Sequence, residues 1–246
     1  MDDFLYVATS GARDALLAQA VNSNNLANVS TTGFKANLLL AESNYLTGQG
    51  QNSRVFGSIT DSTVDYSAGV INSTGRELDV AIKGQGWIAV QGADGETGLT
   101  RRGDLRVNDL GQLTNGAGQQ ILGESGPIAL PPFSDIGIGS DGTVSIVALG
   151  EAPNALNTVD KIKLINPDNS TLVKGEDGLM YLPEGAKAQS DPTVKVVSGS
   201  LESSNVNSVE AMVQMIELSR QYEQYVKMME TAKTLDQSSA ELMSMS

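Results

Sequence analysis

The sequence predicts an α+β fold: terminal helices that pair as a coiled-coil-like bundle, and a central all-β domain, either an antiparallel sandwich or a partial barrel. Three observations carry this. Helix breakers avoid the ends: all 7 prolines fall between Pro127 and Pro192, and 25 of the 26 glycines between Gly33 and Gly199, leaving only Gly11 outside. Both ends carry residues at alternating steps of three and four, the spacing of a coiled-coil seam. The middle carries short β-prone runs about 8 to 15 residues apart with Gly and Asp-Gly turns, the pattern of an antiparallel meander. The chain then divides into an N-terminal helix over 1–30, an extended connector over 31–67, a β domain over 68–200 and a C-terminal helix over 201–246.

The first helix starts at Asp2 and Asp3, which suit an N-terminal cap and the positive end of the helix dipole. Its seam is Leu5, Ala8, Ala12, Ala15, Gln19, Asn22, Leu26 and Val29. Small residues and a polar middle bury too little area to hold an isolated helix, so this one needs a partner. From Phe34 to Ser67 the chain is polar and irregular, with GQGQNS at Gly48–Ser53, and reads as the connector with one short strand at Arg54–Ile59. The β runs follow as DVAIK, GWIAVQ, LRVND, QQILG, PIALP, IGIG, TVSIV, KIKLI, LMYLP and TVKVVS. In the last segment, Asn207 with Glu210 three residues on makes a capping-box-like start. Val209, Met212, Ile216, Ser219, Tyr222, Val226 and Met229 mark one face, and Glu223 with Lys227 an i,i+4 pair on another. At ~1.5 Å per residue the helix runs to roughly 54 Å, long enough to project from a small β domain. Six of the 8 methionines lie here, giving an adaptable apolar face able to accept partner helices.

Composition excludes several function classes. A net charge of −13 opposes nucleic-acid binding, which depends on clustered Lys and Arg; Arg101-Arg102, followed by Asp104, reads as a solvated loop. With no cysteine and no histidine there is no disulfide framework, no thiolate and no ordinary metal set or general base, so no metal and no cofactor is expected. The acidic start lacks the charge and the apolar run of a secretory signal, and no stretch is long enough to span a membrane, so no general-pathway export signal and no direct membrane insertion are expected.

The motifs that suggest chemistry fail on context. Gly84-Gln85-Gly86-Trp87-Ile88-Ala89 fits a loose dinucleotide fingerprint, but WIAV reads as a strand where that motif must open a helix. Asp94, Asp141 and Asp177 each precede glycine without calcium-loop spacing, so they read as hairpin turns. Asn28, Asn72 and Asn169 head N-x-[ST] triplets of the kind that arise by chance.

Both termini resemble one family. Ser23-Asn24-Asn25-Leu26-Ala27-Asn28-Val29-Ser30-Thr31-Thr32-Gly33-Phe34-Lys35 is similar to the NNLAN…GFK signature of flagellar rod and hook axial proteins. Ser200-Leu201-Glu202-Ser203-Ser204-Asn205-Val206-Asn207, with Glu210, Met215-Ile216, Arg220 and Tyr222-Glu223, is similar to their C-terminal motif. DVAIKGQGWIAV and TRRGDLRVNDLGQL resemble parts of the family's β domain, and MDDFLYVATSGAR, LGESGPIALPP and YVKMMETAKTLDQSSAELM look most like its proximal-rod branch. Thr32 departs from the Pro or Asn that relatives can carry there.

The resemblance implies a non-enzymatic structural subunit of the basal-body rod. It would polymerise helically, its two terminal helices forming the axial assembly domain around the export channel. The implied partners are copies of itself, homologous proximal- and distal-rod subunits and the flagellar type III export apparatus; the implied location is the rod across the periplasm. Asn25, Leu26, Asn28, Gly33, Phe34, Asn205, Asn207, Met212, Met215, Ile216, Tyr222 and Val226 are the candidate assembly residues. Within them, Asn25, Asn28, Asn205 and Asn207 are suited to bond backbone groups where helix meets β domain. A distal-rod or hook paralogue is the alternative within the family, and a secreted β-domain binding module or enzyme the alternative outside it.

Overall fold

The computed structural model describes residues 2–45, 55–92, 95–152, 155–183, 186 and 188–244. They form two compact units, one built from residues 1–29, 36–65 and 206–246, the other from 30–35 and 66–205.

The first unit holds α1 (Asp2–Ala27), the hairpin β1 (Asn37–Tyr45) and β2 (Val55–Val64), and α2 (Ser208–Ser244). The helices run antiparallel: Thr9 Oγ1 meets Met229 Sδ at 3.5 Å, Gly11 lies against Tyr225, and Asn22 Nδ2 donates to Ala211 O at 2.7 Å. Small residues make the approach possible. Ala8, Ala12 and Ala15 are buried, and a Cβ on Gly11 would overlap the Tyr225 ring. The polar middle of the seam is used as well, since buried Asn22 satisfies its own amide on the Ala211 carbonyl in the first turn of α2. Leu5, placed in the seam by its spacing, is exposed.

On α2 the predicted face is only partly the one that α1 covers. Val209, Met212 and Ile216 are exposed at 69, 54 and 55%, whereas Ser219, Tyr222, Val226 and Met229 are half-buried. The stripe on the covered side is Ala211, Met215, Leu218, Tyr222, Tyr225, Met229 and Ala232, again at steps of four and three, with Ala211 and Ala232 buried. The alanines of α1 select small residues at the two ends of this stripe, and a reading weighted by hydrophobicity passes over them. A second correction concerns the connector, where β1 and β2 pair antiparallel from Asn37↔Val64 to Tyr45↔Val55 with a bulge at Leu40/Ala41. Neither strand alternates polar and apolar residues, since β1 runs three leucines together at Leu38–Leu40. Gly48–Ser53 and Arg54 lie outside the described residues.

The second unit opens with β3 (Ile71–Ser73), β4 (Val80–Lys83), β5 (Trp87–Gln91), β6 (Thr97–Thr100), β7 (Arg106–Val107), β8 (Leu113–Thr114) and β9 (Phe133–Ile138). It continues with β10 (Thr143–Ala148), β11 (Asn157–Lys161), β12 (Leu164–Ile165), β13 (Val173–Lys174), β14 (Met180–Tyr181), β15 (Lys195–Ser198) and β16 (Ser200–Glu202). Every pairing is antiparallel: a five-stranded sheet β12-β5-β6-β14-β13, a three-stranded sheet β11-β10-β9, and the ladders β15-β4, β16-β3 and β7-β8. One apolar core, including Val80, Ile82, Ile88, Val90, Leu105, Leu113, Ile121, Ile146 and Leu164, fills the unit. QQILG and PIALP contribute only isolated bridges. WIAV is strand β5, as the failed fingerprint required. Asp141-Gly142 turns β9 into β10 and Asp177-Gly178 turns β13 into β14, both glycines at positive φ; Asp94 lies outside the described residues.

Candidate functional site

The second unit is not contiguous in sequence. Residues 30–35 and 200–205, the end of the first signature motif and most of the second, belong to it, and Glu202 brings them together. Its carboxylate is 1% exposed. Oε1 accepts from Lys35 Nζ at 2.7 Å and from Gly69 N at 3.0 Å, and Oε2 from Arg101 Nη1 at 3.0 Å. Lys35 Nζ also donates to Ser67 O at 2.7 Å, and Arg101 Nη2 to Gly84 O at 2.8 Å. The Arg101 guanidinium lies 5.5 Å from the centre of the Trp87 ring, which Tyr66 meets edge-on, while its Nε has no hydrogen-bond partner. Lys35 and Arg101, both buried, thus converge on one buried carboxylate.

Backbone bonds close the same place. Gly33 N donates to Glu202 O at 2.8 Å and Asn205 N to Phe34 O at 3.4 Å. Gly33 has φ +68, and a Cβ there would overlap the Arg101 carbonyl. Lys174 Nζ sits 4.7 Å from the centre of the Phe34 ring, and burial holds its pKa below the usual 10.5.

The expectation of a solvated Arg101-Arg102 loop is therefore wrong. Arg101 is buried on Glu202, and Arg102 Nε donates to Asp104 Oδ1 at 2.7 Å. Burial pushes the Asp104 carboxyl upward, but the hydrogen bond and charge of Arg102 with two backbone amides bring it below 3.8 overall. Lys35, Arg101 and Glu202 are absent from the candidate residues because nothing in the spacing of single charged residues 66 and 101 positions apart signals a contact.

The asparagines are placed as follows. Asn25 Nδ2 donates to Asn37 O and its Oδ1 accepts from Asn37 N, both at 2.8 Å, fastening α1 to the start of β1. Asn28 Nδ2 donates to Asn24 O at 2.9 Å within its own helix end. Asn205 Nδ2 donates to Ser67 Oγ at 3.2 Å, and Asn207 Oδ1 accepts from Val209 N at 3.1 Å as the N-cap of α2. Leu26, Met215, Tyr222 and Val226 are half-buried; Met212 and Ile216 are exposed. A cleft of about 310 Å³ in the first unit is lined by Asn22, Asn25, Asn37, Leu39, Leu218 and Gln221 among others. Among the described residues no acidic group has metal-site geometry, and no helix is long and apolar enough to cross a membrane.

Three family models cover both ends and the middle: flagella basal body rod protein at residues 5–35, flagellar hook protein FlgE/F/G D1 domain at 81–146, and flagellar basal body rod FlgEFG protein C-terminal at 197–242. The flagellar basal-body rod protein FlgF of Escherichia coli is 38% identical over 252 residues, covering all of both chains. That of Caulobacter vibrioides is 32% identical over 98% of each chain. The chain belongs to the flagellar basal-body rod protein family. A rod protein FlgG, from Buchnera aphidicola, is 30% identical over 97% of this chain and 98% of its own. The terminal models include two of the three charged residues that meet in the structure: Lys35 closes the first match and Glu202 lies in the last. Arg101 falls in the D1 match.

Proposed function

We propose that this chain works in the proximal rod, polymerising helically through its terminal helices to form part of the drive shaft and of the export channel. As a member of the rod family it is a structural subunit and not an enzyme. The carrying observation is full-length similarity to proteins named FlgF, at 37% and 38% identity over all of both chains. That match supports the proximal position over a distal-rod or hook paralogue.

The mechanism is coupled folding and assembly. The α1 and α2 seams act as a coiled-coil-like pair, and the β unit is a sandwich or partial barrel. Exposed Val209, Met212, Val213 and Ile216 on α2, and Leu16 and Leu17 on α1, support a bundle whose outer stripes are covered by neighbouring subunits. Heterologous contacts that do not close build a filament. The candidate asparagines, with Leu26, Gly33, Phe34, Met215, Tyr222 and Val226, hold those stripes in register. Copies of this chain and homologous rod proteins are the partners, the type III apparatus exports it without a cleaved signal, and the rod across the periplasm is its location. Deletion of the gene in its own host should abolish swimming and rod completion, with both restored by the wild-type copy; normal swimming in the deletion strain would overturn this reading.

A further inference from the structure

The chain passes between its two units after residues 29, 35, 65 and 205. On the second unit, the segments beside these four passages gather around Glu202, through its side chain, its backbone carbonyl, or Ser67, which Lys35 also contacts. Lys35 Nζ bridges Glu202 and Ser67 O, Gly69 N donates to Glu202, Asn205 Nδ2 reaches Ser67, and Gly33 N donates to Glu202 O. The apolar core lies elsewhere: none of Lys35, Arg101 or Glu202 belongs to it.

We propose that Glu202, with Lys35 and Arg101, is the positioning residue of the rod subunit. It is an electrostatic latch that seats residues 30–35, 66–69 and 199–205 together or not at all, independently of the β core. Lys35 and Arg101 are 3% and 6% exposed in their side chains, and Glu202 is the acid that both of them contact. Lys35 can reach water only by unseating 30–35, and Glu202 only by unseating β16 from β3. Arg101 stays behind, fixed by Gly84 O and the face of Trp87. Departure of Glu202 leaves Lys35 and Arg101 buried without the carboxylate they share, and departure of Lys35 takes one cation from Glu202 and a hydrogen bond from Ser67 O, so each loosens the segments that remain. Gly69 and Gly33 leave no slack, because a Cβ on either would overlap backbone of the facing segment. The three segments are thereby held by one side chain, and the rod subunit needs them seated to assemble. This last step rests on the rod reading; the latch itself does not.

Hydrogen exchange on the purified full-length chain tests it. Glu202→Gln should speed exchange at 30–35, 66–69 and 199–205 together, on the order of a hundred-fold, with β4 and β5 unchanged. Lys35→Met should also loosen 199–205, although Arg101 still pairs Glu202 there, and Glu202→Asp should fall between wild type and Glu202→Gln. Loosening confined to 30–35 in Lys35→Met would overturn the latch, and so would equal acceleration through β4 and β5. If Glu202→Gln does not fold, Lys35→Met and Glu202→Asp decide by the same readings. Swimming of a Lys35→Met strain should be lost while β4 and β5 keep wild-type exchange. Normal swimming with loosened segments would overturn the positioning role alone, and a wild-type chain absent from purified basal bodies would overturn the rod reading instead.

Discussion

Gly33 carries two constraints at once, a left-handed backbone and contact with the Arg101 carbonyl. Gly33→Ala should therefore cost about 1–3 kcal/mol, measured by denaturant unfolding of the β unit. Gly75, also at positive φ but with open space around it, should tolerate alanine better. Asp104 gives a pH dependence of defined sign. Its folded pKa lies below 3.8, so its contribution is fully present above that value and is lost as pH falls through the lowered folded value. Asp104→Asn should flatten the acid limb of the unfolding curve below about pH 4, and an unchanged limb would refute the pairing with Arg102. The turn glycines at Asp141 and Asp177 were legible from the sequence because turn chemistry is local. The pairs of Glu202 with Lys35 and Arg101 were not, because a contact across 101 and 167 residues has no periodic signature.

Helix periodicity fixes that α2 is amphipathic but not which stripe meets α1. The deciding feature is size, with Gly11 against Tyr225 and alanines at both ends of the covered stripe. Two aspartate substitutions separate the faces. Ala211→Asp places a charge where the helices touch and should cost several kcal/mol of helical structure, read by far-UV circular dichroism. Ile216→Asp lies on the exposed stripe and should leave that spectrum unchanged, yet abolish rod assembly and motility. A folded, swimming Ile216→Asp strain would remove this stripe from the interface. The hairpin of β1 and β2 escaped the sequence reading since its strands lack the alternation that a buried face imposes.

At the scale of the molecule, breaker distribution was sufficient to show helices at the ends and strands between, whereas the boundaries of the β unit depend on long-range contacts. A fragment of residues 68–200 omits Lys35 and Glu202 and leaves Arg101 buried without its partner. It should unfold cooperatively but well below a fragment of residues 30–205, by calorimetry; equal midpoints would mean that the motif segments add nothing to the unit.

The central claim is that the outer helix stripes are covered by neighbouring rod subunits. A photoreactive residue introduced at position 216, irradiated in isolated basal bodies, reads that contact directly. The account predicts adducts with another rod subunit from position 216 and none from Asp109, an exposed residue on a β turn. Adducts from position 109 with none from 216 would contradict it.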